Sequence, residues 1–295
     1  MEITEFAQKV RARAEEVLGE GYQVEVRQVR KNNGILLHGL LILSDTGNVT
    51  PTIYLETFYR AYEKGTTFAE VLRRILEVYR QEMPKKSVDL DFFLDFDRVK
   101  ERICYRLVRQ EGNEELLEEV PYVEFLDLAV CFYYAYSGNP LGEGMILIHN
   151  SHVERWKVNL KELMKRAAEN TPRLFPARCY GLSDILRELG LEADAEAERE
   201  VAMNVLTNEK KAFGAACVLY PGVLAEMAEK AGKNLYVIPS SVHEVILLKD
   251  TGREVPAELQ RMVHEVNRAH VAPEEVLSDR LYYYDREQGA VKVIF

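Results

Sequence analysis

The segment Ser240-Ser241-Val242-His243-Glu244 places hydroxyls, an imidazole and a carboxylate side by side, the groups that nucleophilic and general-base chemistry employ. If the segment is a strand, period two puts Ser241 and His243 on one face and Glu244 on the other. A Ser241–His243 hydrogen bond is then within reach, while Glu244 orients the imidazole only where the chain bends. On this reading Ser241, His243 and Glu244 are the candidate catalytic residues of a hydrolase or transferase, with Tyr220 as a further helper. The competing reading makes Pro239, Ser240 and Ser241 the turn of a hairpin and lets His243 satisfy a backbone group. The G-x-S-x-G pattern of a nucleophile elbow is absent.

Two other clusters invite metal readings. His149 and His152 stand three apart, the spacing that sets two imidazoles on one helical face. No H-E-x-x-H accompanies them, and Asn150 or Ser151 suits a helix cap. Asp89, Asp91, Asp95 and Asp97 offer hard oxygen ligands. They alternate with Phe92, Phe93, Leu94 and Phe96, however, and lack the glycine and terminal glutamate of a calcium loop, so Asp95 reads better as a cap. Neither phosphate-cradling glycine signature occurs. No metal and no cofactor is expected.

Charge points elsewhere. The 295 residues carry 38 Lys plus Arg against 48 Asp plus Glu, a formal net charge of −10. Between Arg109 and Arg155 there is no Lys or Arg, while Glu111, Glu114, Glu115, Glu118, Glu119, Glu124, Asp127, Glu143 and Glu154 accumulate. Such a surface repels nucleic-acid phosphates and suits a basic protein partner. Glu114, Glu115, Glu118 and Glu119 are therefore the candidate binding residues. Direct nucleic-acid binding is disfavoured, and a homo-oligomer is compatible with the composition.

The elements that must position these groups follow from periodicity. An amphipathic helix carries Phe6, Val10 and Ala14 and stops at Gly19. Lys31-Asn32-Asn33-Gly34 is a hairpin turn joining a strand from Tyr22 to one over Ile35–Leu43. Thr67-x-x-Glu70 is a capping box ahead of a helix bearing Val71, Leu72, Ile75 and Leu76. Strands are expected at 103–108, over one long run Tyr122–Tyr136, and at 145–148, forming a meander. A helix over 151–170 should be ended by Pro172 and Pro176. Beyond residue 200, strands (201–206, 213–219, 235–238, 243–248, 281–284, 291–295) alternate with helices begun by Pro221 and Pro256. The expectation is an α+β fold of mostly antiparallel sheets with flanking helices. Its domains would be 1–180 and 201–295, joined by a polar helical connector over 181–200.

Several segments together resemble a known family. They are Lys31-Asn32-Asn33-Gly34, Pro51-Thr52-Ile53-Tyr54-Leu55-Glu56, Gly214–Gly222, Pro239-Ser240-Ser241-Val242-His243-Glu244, and Leu277-Ser278-Asp279-Arg280-Leu281-Tyr282 running on to Asp285. They resemble a domain-of-unknown-function family of anaerobic gut bacteria, over nearly the whole chain. The resemblance implies a bacterial cytoplasmic protein, sometimes encoded near mobile elements, and carries over no activity or catalytic residue.

Composition agrees with a soluble protein. The longest apolar run, Leu128–Tyr136, is far short of the roughly 18 residues a spanning helix needs. The acidic start Met1-Glu2-Ile3-Thr4-Glu5 lacks the features of a secretory signal. Cys104, Cys131, Cys179 and Cys217 are scattered, as reduced cysteines used for packing would be. The leading functional expectation is a non-catalytic, protein-binding or regulatory protein of the cytoplasm, one form being an acidic inhibitor of a nucleic-acid-handling protein. The alternatives are the Ser241/His243 enzyme and a small-molecule sensor.

Overall fold

In the computed structural model, which describes residues 1–45, 49–83, 91–138, 142–181 and 203–295, Asn33 and Gly34 both take left-handed backbone (φ 61° and 66°). That conformation is cheap for this pair and reverses the chain. Strands β1 (Tyr22–Arg30) and β2 (Leu36–Ser44) consequently pair antiparallel with Val26 opposite Leu40, and β3 (Thr52–Tyr54) adds to the far edge of β2. Helices α1 (Ile3–Leu18), α2 (Glu56–Glu63) and α3 (Phe68–Glu82) accompany this sheet. Phe6, Val10, Leu40, Ile42, Leu55 and Ile75 form its core. The Thr67 hydroxyl accepts the Glu70 N–H at 3.3 Å and starts α3, as the capping box requires.

Packing divides the chain into two compact units, Met1–Asp91 with Tyr136–Gly144, and Phe92–Ala135 with Met145–Phe295. This differs from the division into 1–180 and 201–295. Composition marks where polarity changes, whereas packing follows strand pairing, and β8 (Ala177–Gly181) pairs antiparallel with β9 (Met203–Asn208). The connector expected over 181–200 lies outside the described residues beyond Gly181.

A sheet in the order β4-β6-β5, with β7 also paired to β6, belongs to the second unit except for residues 136–138 of β6 and 142–144 of β7. These strands are β4 (Ile103–Arg109), β5 (Tyr122–Phe125), β6 (Leu128–Gly138) and β7 (Gly142–Leu147). The long strand expected over Tyr122–Tyr136 is instead a hairpin. Leu126 turns the chain with φ 57°, and Phe125 pairs with Leu128. Apart from Glu124 and Asp127 the run is apolar, because both strands feed the core, so Asp127 beside Leu126 is its one sign of a turn. Helix α4 (Phe96–Val99), capped by Asp95 as expected, precedes β4, and α5 (Glu114–Glu119) lies between β4 and β5.

Two helices replace the single one expected over 151–170. They are α6 (Asn150–Trp156) and α7 (Leu160–Leu174), separated by left-handed Lys157 (φ 54°) and capped by Asn159. Pro172 lies inside α7 rather than ending it. The helix protects a strand edge: Tyr105 N donates to Thr171 Oγ1 (3.1 Å), and Asn170 Nδ2 donates to the carbonyls of Lys100 and Ile103 (2.8 and 3.0 Å). This explains why two polar residues are buried there, since an edge strand leaves backbone groups to be satisfied.

A second sheet runs β13-β12-β10-β11-β9-β8, with every neighbouring pair antiparallel. Its remaining strands are β10 (Leu235–Ile238), β11 (Val245–Lys249), β12 (Tyr282–Asp285) and β13 (Ala290–Val293). Helix α9 (Pro256–His270) starts at Pro256 as expected, whereas α8 (Val223–Ala231) starts two residues after Pro221, from left-handed Gly222; α9 buries Leu259 and Val263 with Tyr236, Ile238 and Leu281. Residues 213–219 form a 3-10 helix, Gly214–Leu219, rather than a strand. The antiparallel sheets with flanking helices make the fold α+β. Among the described residues no helix is long and apolar enough to cross a membrane.

Candidate functional site

The hairpin β10–β11 closes through residues 239–244, so Ser241 and His243 stand in a loop and strand alternation does not govern them. The loop is pinned to the segment before β12. Val242 N donates to Glu275 O (2.8 Å), Leu277 N to Ser240 O (3.1 Å) and Ser278 N to Pro239 O (2.9 Å). Across from it, buried Asn208 organises the chain after β9: its Oδ1 accepts the N–H of Lys210 and Ala212, and its Nδ2 donates to Ala212 O. That loop carries Lys211 and Phe213 in left-handed backbone, both at φ 52°. For bulky Phe213 this is a costly conformation, held by its surroundings.

Gly214 shows how tightly the two loops meet. A Cβ there would collide with Thr207 Oγ1 and lie 2.6 Å from both Asn208 N and His243 O. Thr207 Oγ1 donates to that same His243 carbonyl at 2.7 Å. The absent side chain is thus what lets β9, the 3-10 helix and the hairpin loop come together.

Within this frame the side chains of the candidate triad take separate tasks. Ser241 Oγ accepts the backbone N–H of His243 at 3.1 Å, a local turn contact. His243 Nδ1 accepts the Phe213 N–H at 3.2 Å, which leaves the neutral ring's proton on Nε2, 3.5 Å from Glu275 Oε1. The imidazole ring also packs against Phe213, with centroids 5.4 Å apart. Glu244 is half-buried, and burial raises its carboxyl above the ordinary range while His243 opposes the shift and Glu275 reinforces it. Tyr220 donates its hydroxyl to Phe175 O at 2.9 Å, and burial drives that hydroxyl well above its ordinary pKa.

The acidic candidates lie together in sequence and in space. Glu114, Glu115, Glu118 and Glu119 are all exposed on α5, as are Glu111 before it and Glu124 on β5. Leu116 and Leu117 anchor the helix against Val108, Val120, Ala129 and Cys131. Glu114 Oε1 accepts the Gly112 N–H at 3.0 Å, and hydrogen bonds to backbone amides lower its pKa. Arg109 is bound by Glu111 and by Asp279 (3.2 Å), and His149 stands 3.9 Å from Glu119. Glu118 and Glu124 make no ion pair among the described residues.

Sequence reasoning did not single out a third cluster. Asp127, in the β5–β6 turn, accepts the Ser278 hydroxyl at 2.6 Å and the Tyr282 hydroxyl. Beside it Asp279 takes Arg109 and the Asn267 amide (2.8 Å). An open pocket of about 450 Å³ here is lined by Arg109, Asp127, Gln260, His264, Asp279 and Arg280. Ser278 is fully buried, so its hydroxyl ties the β5–β6 turn to β12 rather than facing a reactant. The signal for this contact was the Ser278-Asp279-Arg280 segment, but its partner is more than a hundred residues away. Elsewhere, His152 Nδ1 accepts the His149 N–H at 3.0 Å, and no group of three His, Cys, Asp or Glu among the described residues is arranged to hold a metal ion.

Comparison with known families settles membership. Residues 3–286 match the model of a family of unknown function, DUF5688. The chain belongs to that family. No curated protein and no solved structure matches the chain. Both loops of the His243 cluster, and the Ser278–Tyr282 stretch that ties to Asp127, lie within the matched region.

Proposed function

We propose that this DUF5688 member is a non-catalytic, protein-binding or regulatory protein of the cytoplasm that receives a basic partner on the α5–β5 face. One observation carries the reading: exposed Glu111, Glu114, Glu115, Glu118, Glu119 and Glu124 crowd a stretch of chain that holds no Lys or Arg from Gln110 to Glu154. Like charges gathered on one face are a repulsive arrangement in the free protein, and a cationic partner relieves it. A nucleic-acid backbone would instead be repelled. A decoy that occupies a basic, nucleic-acid-handling protein is one form of this function.

Changing Glu114, Glu115, Glu118 and Glu119 together to Gln tests it. Partners retained from an extract of the producing cell by the native protein should be lost to the variant, and raised salt should release them from the native protein. Retention of every partner by the variant would overturn the electrostatic reading.

The alternative is a hydrolase or transferase using Ser241, His243 and Glu244. Its support is the half-buried Glu244 carboxyl beside His243, which burial raises above its ordinary pKa, as carboxyls that transfer protons often are. It requires the hairpin loop to rearrange, because Ser241 Oγ is engaged by a backbone amide and His243 Nδ1 by another.

A further inference from the structure

Arg106 lies at the middle of β4, paired in register with Cys131 on β6. Its Nε is enclosed and finds no hydrogen-bond acceptor. No carboxylate pairs with its guanidinium among the described residues, and the terminal nitrogens make no hydrogen bond there either. What the guanidinium does meet is the ring of Phe213, 5.2 Å from the centroid. That contact favours a cation but supplies no acceptor for five N–H donors. Its acidic neighbours Cys131 and Tyr133 stay neutral, since burial pushes the Cys131 thiol up to about 11 and the Tyr133 hydroxyl higher still. Arginine cannot escape by losing its proton at ordinary pH. An enclosed N–H with no acceptor is unfavourable, and a guanidinium only partly in water gains from an anion beside it.

The surroundings are built around this group. Phe213 holds the left-handed backbone described above, and its N–H is fixed by His243. The side chain of Arg106 is only partly covered, so its terminal nitrogens remain open to solvent. The charge balance also defines what fits. One guanidinium pairs with one negative charge, and Glu244 and Glu275 beside His243 set two carboxylates against the single ammonium of Lys211, a balance that opposes a dianion. We infer that Arg106 and Phe213 form a binding site for a small monocarboxylate, whose two oxygens take the guanidinium edge and whose apolar body lies against the Phe213 ring. The inference is independent of the acidic α5 face, which shares no residue with it.

Benzoate is a suitable probe, with inorganic phosphate as the dianion-bearing comparison. In the full-length protein, labelled at arginine nitrogen, the enclosed Arg106 Nε–H signal should move saturably with benzoate and remain still with phosphate. Arg106→Lys keeps the charge but loses the fork, and should weaken benzoate at least tenfold. Phe213→Leu leaves Arg106 in place and should weaken benzoate more than acetate. The Nε–H signal is read in the unaltered protein, so the result does not hang on a variant folding. No movement of the signal at high millimolar benzoate would overturn the inference. So would preference for phosphate, or equal benzoate affinity in Arg106→Lys. Saturation by a tripeptide carboxylate but not by benzoate would overturn the small-molecule form.

Discussion

Replacing Gly214 with alanine probes the junction on which the His243 loop depends. The added methyl has no room, because it collides with Thr207 Oγ1 and crowds two backbone atoms at 2.6 Å, Asn208 N and His243 O. A side chain can rotate away, whereas these backbone atoms belong to β9 and to the hairpin loop. Overpacking of this kind costs about 1–3 kcal/mol. Displacing the Thr207–His243 hydrogen bond adds about 1 kcal/mol. The expected loss is therefore about 2–4 kcal/mol. Trp156 is the sole tryptophan, is buried, and donates its indole N–H to Phe93 O at 2.9 Å, so its fluorescence reports on the second unit. With a urea m-value of about 2 kcal/mol/M, the midpoint should fall by about 1–2 M. Thr207→Ala removes one of the three obstacles, so the double variant should lose less than the two single losses combined. A Gly214→Ala midpoint within about 0.2 M of the native one, or strict additivity in the double variant, would refute the geometry argued here.

Two further expectations follow from burial. Cys104, Cys131 and Cys217 are buried, with thiols pushed up to about 12, 11 and 12, while Cys179 is exposed. Iodoacetamide should therefore modify Cys179 alone in the folded protein and all four after denaturation, as read by intact mass. Glu244 has its folded pKa raised above the ordinary 4.5, so its favourable contribution is present below that value and is lost as pH rises through the folded pKa. Glu244→Gln should accordingly be more stable than the native protein at about pH 7, and the gap should close on acidification towards about pH 4. Equal stability of the two across that range in urea titrations would contradict the burial of this carboxyl.

How much of this was legible in the sequence depends on whether the cause was local. The Asn33-Gly34 turn, the Thr67 cap, the Asp95 cap and the Pro256 helix start are each decided by a few adjacent residues, and each stands where the residues put it. The turn at Leu126 is marked only by the neighbouring Asp127, because a leucine in left-handed backbone is imposed by pairing of the strands on either side. Residues 213–219 read as a strand from their apolar run, yet close contact of Gly214 with β9 and the hairpin loop coils them into a 3-10 helix. The His243 cluster was half legible. Its residues were visible, but the Phe213 N–H that occupies Nδ1 and the Glu275 carboxylate that faces Nε2 come from segments about thirty residues away on either side. Arg106 carried no signal at all, since an arginine in a strand becomes unusual only once the described residues around it prove to pair no anion with it.

The central claim, that the acidic α5–β5 face receives a basic protein, is tested most directly by native mass spectrometry after incubation in an extract of the producing cell. The account predicts a discrete added protein mass on the native chain, released by salt and absent from the variant with Gln at 114, 115, 118 and 119. The same added mass on both proteins, or a native chain that gains only a few hundred daltons or nothing, would contradict it.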